Sequence, residues 1–183
     1  MKDKVKCLAM PPTNYEFSER IADDLVFFIS GHDIYDPASF YKQTMRDLAE
    51  NLPKSYGLFY QDMVRDLKIT RENASDVFIR VVHKMLEDGA MNWGRVVAIY
   101  SLAAHIGRYF KGDGRDYYPV EAYAKAVATA LATQLTPWIE ENGGWEAFEE
   151  FFTHEDCKYS LWSQICMASA GVAILTVIKL ILR

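Results

Sequence analysis

The sequence predicts an all-α protein: a globular bundle of seven to eight helices around one central, buried hydrophobic helix, followed by a C-terminal transmembrane helix. Three observations carry this. Apolar residues recur at helical spacing through most of the 183 residues, and strand-like alternation is not found. Between Val96 and Gly107 the only polar side chains are Tyr100, Ser101 and His105, so that helix is apolar on most of its circumference and must be buried on most sides. From Ile165 to Leu182 the chain reads ICMASAGVAILTVIKLIL, interrupted by Lys179 alone, a length near the minimum for crossing a bilayer core.

In chain order, residues 1–13 read as a flexible leader. Phe17 to Ser30 is the first helix, with Phe17, Ile21, Leu25 and Phe28 or Ile29 on one face, and Gly31 ends it. Asp36 and Pro37 suit the N-cap and first position of the second, whose stripe is Phe40 or Tyr41, Met45, Leu48 and Leu52. Pro53 predicts a break or kink there, with Tyr56, Phe59, Tyr60 and Met63 on a shorter segment beyond it. Asn73 is a plausible cap for the next helix, which buries Val77, Phe78, Val81, Val82, Met85 and Leu86 and stops at the Asp88-Gly89 turn. Asn92 caps the central helix, which spans about 28 Å to Phe110 and ends at Gly112-Asp113-Gly114. Pro119 opens an alanine-rich helix with Val120, Tyr123, Val127, Leu131 and Leu135 in register. Thr136-Pro137 predicts a new short helix that Gly143-Gly144 stops, and Trp145 to Phe152 makes one more.

Composition narrows the function. Half of the residues are hydrophobic, enough for a sizeable core. A net charge of -5 with no basic run argues against nucleic acid. Cys7, Cys157 and Cys166 have neither metal nor disulfide spacing, and fit free thiols in a reducing compartment. Lys2, Lys4 and Lys6 precede no apolar run before Pro11-Pro12, so no secretory signal is expected. The apolar C-terminal run is read as a membrane span, the competing reading being a buried core helix. The expected layout is a leader at 1–13, a helical domain at 14–156, a linker at 157–163 and a membrane anchor at 164–183.

No chemistry assembles. His32, His83, His105 and His154 fall in separate predicted elements without ligand spacing, and no nucleophile, base and orienter come together. The chain is therefore expected to be no enzyme and to need no cofactor or metal. What remains is recognition. Met63, Met85, Leu86, Tyr56 and Tyr60 are large, partly adaptable side chains that suit a groove for an amphipathic helix. Arg95 lies in the first turn of the central helix, where backbone N–H groups are unpaired and the dipole is positive, a receiver for a carboxylate. The competing reading makes the apolar residues plain core and Arg95 a surface ion pair.

At these residues the chain resembles a known family. Glu87-Asp88-Gly89 followed by Asn92-Trp93-Gly94-Arg95 resembles the first homology motif of the Bcl-2 family of apoptosis regulators. The stretch from Thr136-Pro137-Trp138 to Gly143-Gly144-Trp145 resembles the second, and Glu19 to Asp36 is similar to the fourth. The third falls on Tyr41, Met45, Leu48 and Leu52, with Ala49 in place of the usual Gly and Glu50 in place of the usual Asp. The resemblance covers nearly the whole chain and implies a Bcl-2-like helical domain with a hydrophobic groove. It implies Leu52, Tyr56, Tyr60 and Met63 on one wall, Val81, Met85 and Leu86 on the other, Val97 and Leu102 on the floor and Phe152 near the end. Arg95 would pair with an aspartate of the invading helix, Asn92 would hydrogen-bond beside it, Gly94 would admit its backbone, and Trp93 and Trp145 would pack.

The implied partners are pro-apoptotic members of the family, bound helix-in-groove, with pairing of like chains or of relatives left open. The second-motif stretch resembles the survival-promoting branch, which implies an anti-apoptotic regulator that restrains permeabilisation of the mitochondrial outer membrane. The alternative is a pore-forming, pro-apoptotic effector of the same fold, for which the apolar hairpin of 96–135 is the motive. Residues 164–182 would hold the domain on the cytosolic face of the mitochondrial outer membrane, or of the endoplasmic reticulum.

Overall fold

The structure, a computed structural model, describes residues 12–32, 40–87, 89–112 and 120–153, and of residues 40, 52–63, 112 and 153 it describes the backbone alone. The described residues form six helices: α1 (Asn14–Ile29), α2 (Phe40–Asp66), α3 (Ala74–Leu86), α4 (Trp93–Gly112), α5 (Val120–Glu141) and α6 (Gly144–Thr153). The Asp36-Pro37 start, the Asp113-Gly114 stop, Pro119, the linker and the apolar C-terminal run lie outside the described residues. No helix among the described residues is long and apolar enough to cross a membrane.

α4 is the centre. Every residue from Trp93 to Gly107 is buried, as its apolar circumference requires. α1 and α5 pack on each other and on α4, α2 packs on α4, α1 and α6, and α3 packs on α5 and α4. Gly107 sets the α1–α4 approach: a Cβ there would lie 3.2 Å from both Val26 Cγ1 and Ser30 Oγ.

Neither internal proline ends its helix: α2 is continuous through Pro53, and α5 through Pro137, where the sequence suggested a new helix. At the second, Thr136 starts no helix; its hydroxyl points inward and donates to Ser18 Oγ at 3.1 Å. α1 also begins three residues earlier than its apolar stripe suggests. Thr13 and Glu16 form a reciprocal capping box, Glu16 N–H donating to Thr13 Oγ1 and Thr13 N–H to Glu16 Oε2.

The ends of α1 and α2 share one geometry. After α1, Gly31 takes φ +67°, its N–H donates to Phe28 O and that of His32 to Phe27 O. Lys111 Nζ, from the end of α4, donates to Gly31 O at 2.7 Å. After α2, Lys68 takes φ +50°, its N–H donates to Arg65 O and that of Ile69 to Val64 O. Asn73 precedes α3 without capping it through its side chain; Oδ1 accepts from Thr70 N–H and Nδ2 donates to Lys68 O, fastening the loop instead.

Candidate binding site

The site is built where α3 ends and α4 begins. Asn92 caps α4, its Oδ1 accepting the Arg95 N–H at 2.9 Å. That bond fixes the backbone of Arg95 in the first turn of α4. The Arg95 guanidinium donates through NH1 to the Met85 carbonyl at 3.2 Å, and the residue is only 8% exposed. The last-turn carbonyls of a helix carry its negative end, so α3 offers Arg95 a natural seat. Arg95 thus joins two helices from the interior and is no surface residue.

Gly94 beside it is buried. Val81, Met85, Val97, Leu102 and Phe152 belong to one buried core, and Leu86 is packed against it partly exposed. The structure therefore brings together Val81, Met85, Leu86, Asn92, Gly94, Arg95, Val97, Leu102 and Phe152 along α3, α4 and α6. The side chains of Leu52, Tyr56, Tyr60 and Met63 lie outside the described residues, although the backbone that carries them is helical.

Below the site the tryptophans pack as one cluster. Trp93 meets Trp138 edge-on at 4.9 Å between ring centroids and Phe148 at 5.5 Å, and Trp145 meets Phe148 at 5.2 Å and Tyr100 at 5.8 Å. Such edge-to-face pairs each contribute about 0.5–1.5 kcal/mol beyond area burial. They lock the start of α4 to α5 and α6.

Residues that sequence reasoning missed hold this frame from α1. Ser18, fully buried, accepts the Trp145 indole N–H and the Thr136 hydroxyl at its Oγ, both at 3.1 Å, while its carbonyl accepts from Tyr100 Oη at 3.3 Å. Burial pushes the Tyr100 phenol far above its ordinary value, so it is present as a neutral donor. Asn14 Oδ1 accepts the Trp145 N–H at 3.4 Å, at the start of α6. Asp24 of α1 takes a bidentate pair from Arg46 of α2, at 2.6 and 2.9 Å, with Lys42 Nζ at 3.7 Å and the Phe28 ring 4.7 Å under the guanidinium carbon. No local pattern marks Asp24 or Ser18; only Thr13-x-x-Glu16 was a readable signal.

His105 is a core histidine. It is buried in α4 and hydrogen-bonds the Ala49 backbone; burial first, then Arg108, lowers its pKa to about 4. The Tyr41 phenol of α2 is raised by burial and by Glu149 and Glu146 of α6, and it hydrogen-bonds Glu149. Among the described residues no group of acids, histidines or cysteines could hold a metal.

Among the described residues five helices surround a buried α4, with Asn92 capping its start beside Arg95 and a tryptophan cluster next to it, and the comparisons give this all-α fold a family. The chain belongs to the Bcl-2 family of apoptosis regulator proteins, whose model matches residues 45–145. It is 31% identical over 147 residues to human Bcl-2-like protein 1, covering 76% of this chain and 62% of that protein. It is 31% identical over 125 residues to Apoptosis regulator R11 of Xenopus laevis, covering 67% of this chain and 59% of that protein. The chain thus spans about six-tenths of the length of the curated relatives it matches. Among solved structures, a zebrafish pro-survival protein, NRZ, in complex with Bad BH3 superposes with a TM-score of 0.65 at 28% identity, over 75% of this chain and 93% of that one. Trichoplax adhaerens trBcl-2L2 bound to trBak BH3 shares the fold, with a TM-score of 0.63 at 24% identity over 76% and 99% of the two chains.

Proposed function

We propose that this protein is a survival-promoting regulator that captures the amphipathic third-motif helix of pro-apoptotic family members along α2, α3 and α4. The observation that carries the reading is Arg95, fixed in the first turn of α4 by Asn92 and seated on the Met85 carbonyl. An aspartate on an incoming helix would give the guanidinium a charge-assisted partner, able to bind it bidentately, at this position. Likeness to NRZ, a pro-survival protein whose complex with Bad BH3 is known, supports the same reading. Val81, Met85, Val97 and Leu102 are interior, so a helix that touches them must displace a neighbour. α3, flanked by non-helical stretches at 67–73 and 89–92, is the element suited to move. On this reading Leu52, Tyr56, Tyr60 and Met63 form the facing wall.

The role is recognition without catalysis. Residues 164–182 serve as a single-pass anchor to the mitochondrial outer membrane or the endoplasmic reticulum, a reading that rests on the apolar run and on the lone Lys179 near its end.

The full chain in mild detergent, titrated with a fluorescent third-motif helix peptide, tests the proposal. Submicromolar binding is expected, and Arg95→Glu is expected to weaken it tenfold or more, about 1.4 kcal/mol. Absence of binding up to about 100 μM, some 5.5 kcal/mol, overturns it. Dye release from liposomes by the full chain with an activating peptide would instead establish the pore-forming alternative.

A further inference from the structure

A proline inside a helix brings no N–H, so the carbonyl four residues earlier loses its helical donor. For Pro53 in α2 that carbonyl belongs to Ala49, which is 0% exposed, so solvent cannot serve as the substitute. The other internal proline is a contrast. Pro137 leaves the Thr133 carbonyl, and both residues are exposed, within reach of water. At Ala49 the donor comes from another helix: the ring of His105 in α4 hydrogen-bonds the Ala49 backbone. His105 is itself interior, two residues before Gly107 and so on the other side of α4 from the close approach to α1, and α4 lies along α2.

We propose that His105 is a positioning residue: by donating its ring N–H to the carbonyl that Pro53 leaves open, it keeps α2 continuous through the proline and sets where residues 52–63 run. A histidine that merely filled core volume would be indifferent to the residue at 53. This one is not, because its hydrogen bond replaces the one that residue 53 fails to make. The ring is neutral at physiological pH, burial and Arg108 having lowered its pKa to about 4, so it carries one N–H, and the Ala49 carbonyl takes it. For peptide capture, the inference rests on the reading of residues 52–63 as a groove wall; for the fold it stands apart from that reading.

Four forms of the full chain in mild detergent test it: wild type, His105→Phe, Pro53→Ala and the two together. In urea, His105→Phe is expected to raise the unfolding equilibrium constant about tenfold when residue 53 is proline, and less than about threefold beside Pro53→Ala, whose N–H takes the carbonyl. Equal losses in the two backgrounds overturn the hydrogen-bond exchange. His105→Gln, which keeps a donor, should recover part of the loss. Amide hydrogen exchange reads the positioning directly. Protection over residues 54–63 should fall in His105→Phe and return in the double variant, and unchanged protection overturns the positioning role. Peptide affinity should follow the same order, several-fold weaker in His105→Phe and restored in the double variant. A wild-type chain that binds no peptide defeats the groove reading alone, since urea and exchange decide the His105 role without it.

Discussion

Asp24 and Arg46 are the two charges placed deepest between α1 and α2, and their geometry decides what they contribute. Both are nearly fully buried and joined by two hydrogen bonds, so neither is solvated if the other is lost. Removing one partner of such a pair typically costs about 3–5 kcal/mol, because a buried charge is left uncompensated, while replacing both with apolar residues can be nearly neutral. Asp24→Asn is therefore expected to destabilise the domain by roughly 3 kcal/mol in chemical denaturation. Asp24→Leu combined with Arg46→Met should be markedly more stable than either single change. A double variant no better than the singles would show that the Phe28 stack and Lys42 matter more than the pair.

Among the elements, the end of α2 carries an avoidable strain. Lys68 occupies the left-handed position that closes the helix, where its Cβ crowds the backbone. Lys68→Gly is expected to stabilise the protein by about 0.5–1 kcal/mol, read as a higher urea midpoint at unchanged slope. The elements also show what the sequence could and could not reveal. α3, α4 and α6 were legible because their apolar periodicity is strong and their boundaries are marked by Asn92, Gly89 and Gly143-Gly144. The prolines were misread because a local rule counts the lost hydrogen bond but not a donor on another helix, as at Pro53, or an exposed carbonyl, as at Pro137. Arg95 and Asn92 could be named from a motif. The Met85 carbonyl that seats the arginine could not, since backbone acceptors have no signature in sequence. Ser18 was invisible for a related reason: a serine within an amphipathic helix reads as polar surface, and only the arrival of Trp145, Thr136 and Tyr100 makes it interior.

For the molecule as a whole, the buried imidazole ties stability to pH. His105 titrates near 6.5 when unfolded and near 4 when folded. Above 6.5 neither state binds the proton, and the folded state keeps its full stability. As pH falls from 6.5 towards 4 the unfolded chain takes up a proton that the folded chain refuses, and stability is lost progressively. The full loss is on the order of 3 kcal/mol, reached below the folded value. Asp23, whose carboxyl is raised first by burial and then by Asp24, works in the opposite sense, because acidification relieves it. The comparison that isolates the histidine is therefore wild type against His105→Gln, melted between pH 7 and pH 4.5. The wild type should lose stability more steeply, and parallel curves would contradict a buried neutral ring.

The Ser18 knot also has a consequence in time. Its partners Thr136 and Trp145 lie 118 and 127 residues further along the chain. At a synthesis rate of about 5–20 residues per second, Ser18 is made roughly 6–25 s before Trp145. During that interval Ile21, Leu25 and Val26, interior in the finished domain, have no α5 or α6 to cover them. A nascent chain of this protein is thus an apolar helix in waiting, open to capture by holdases until α6 arrives.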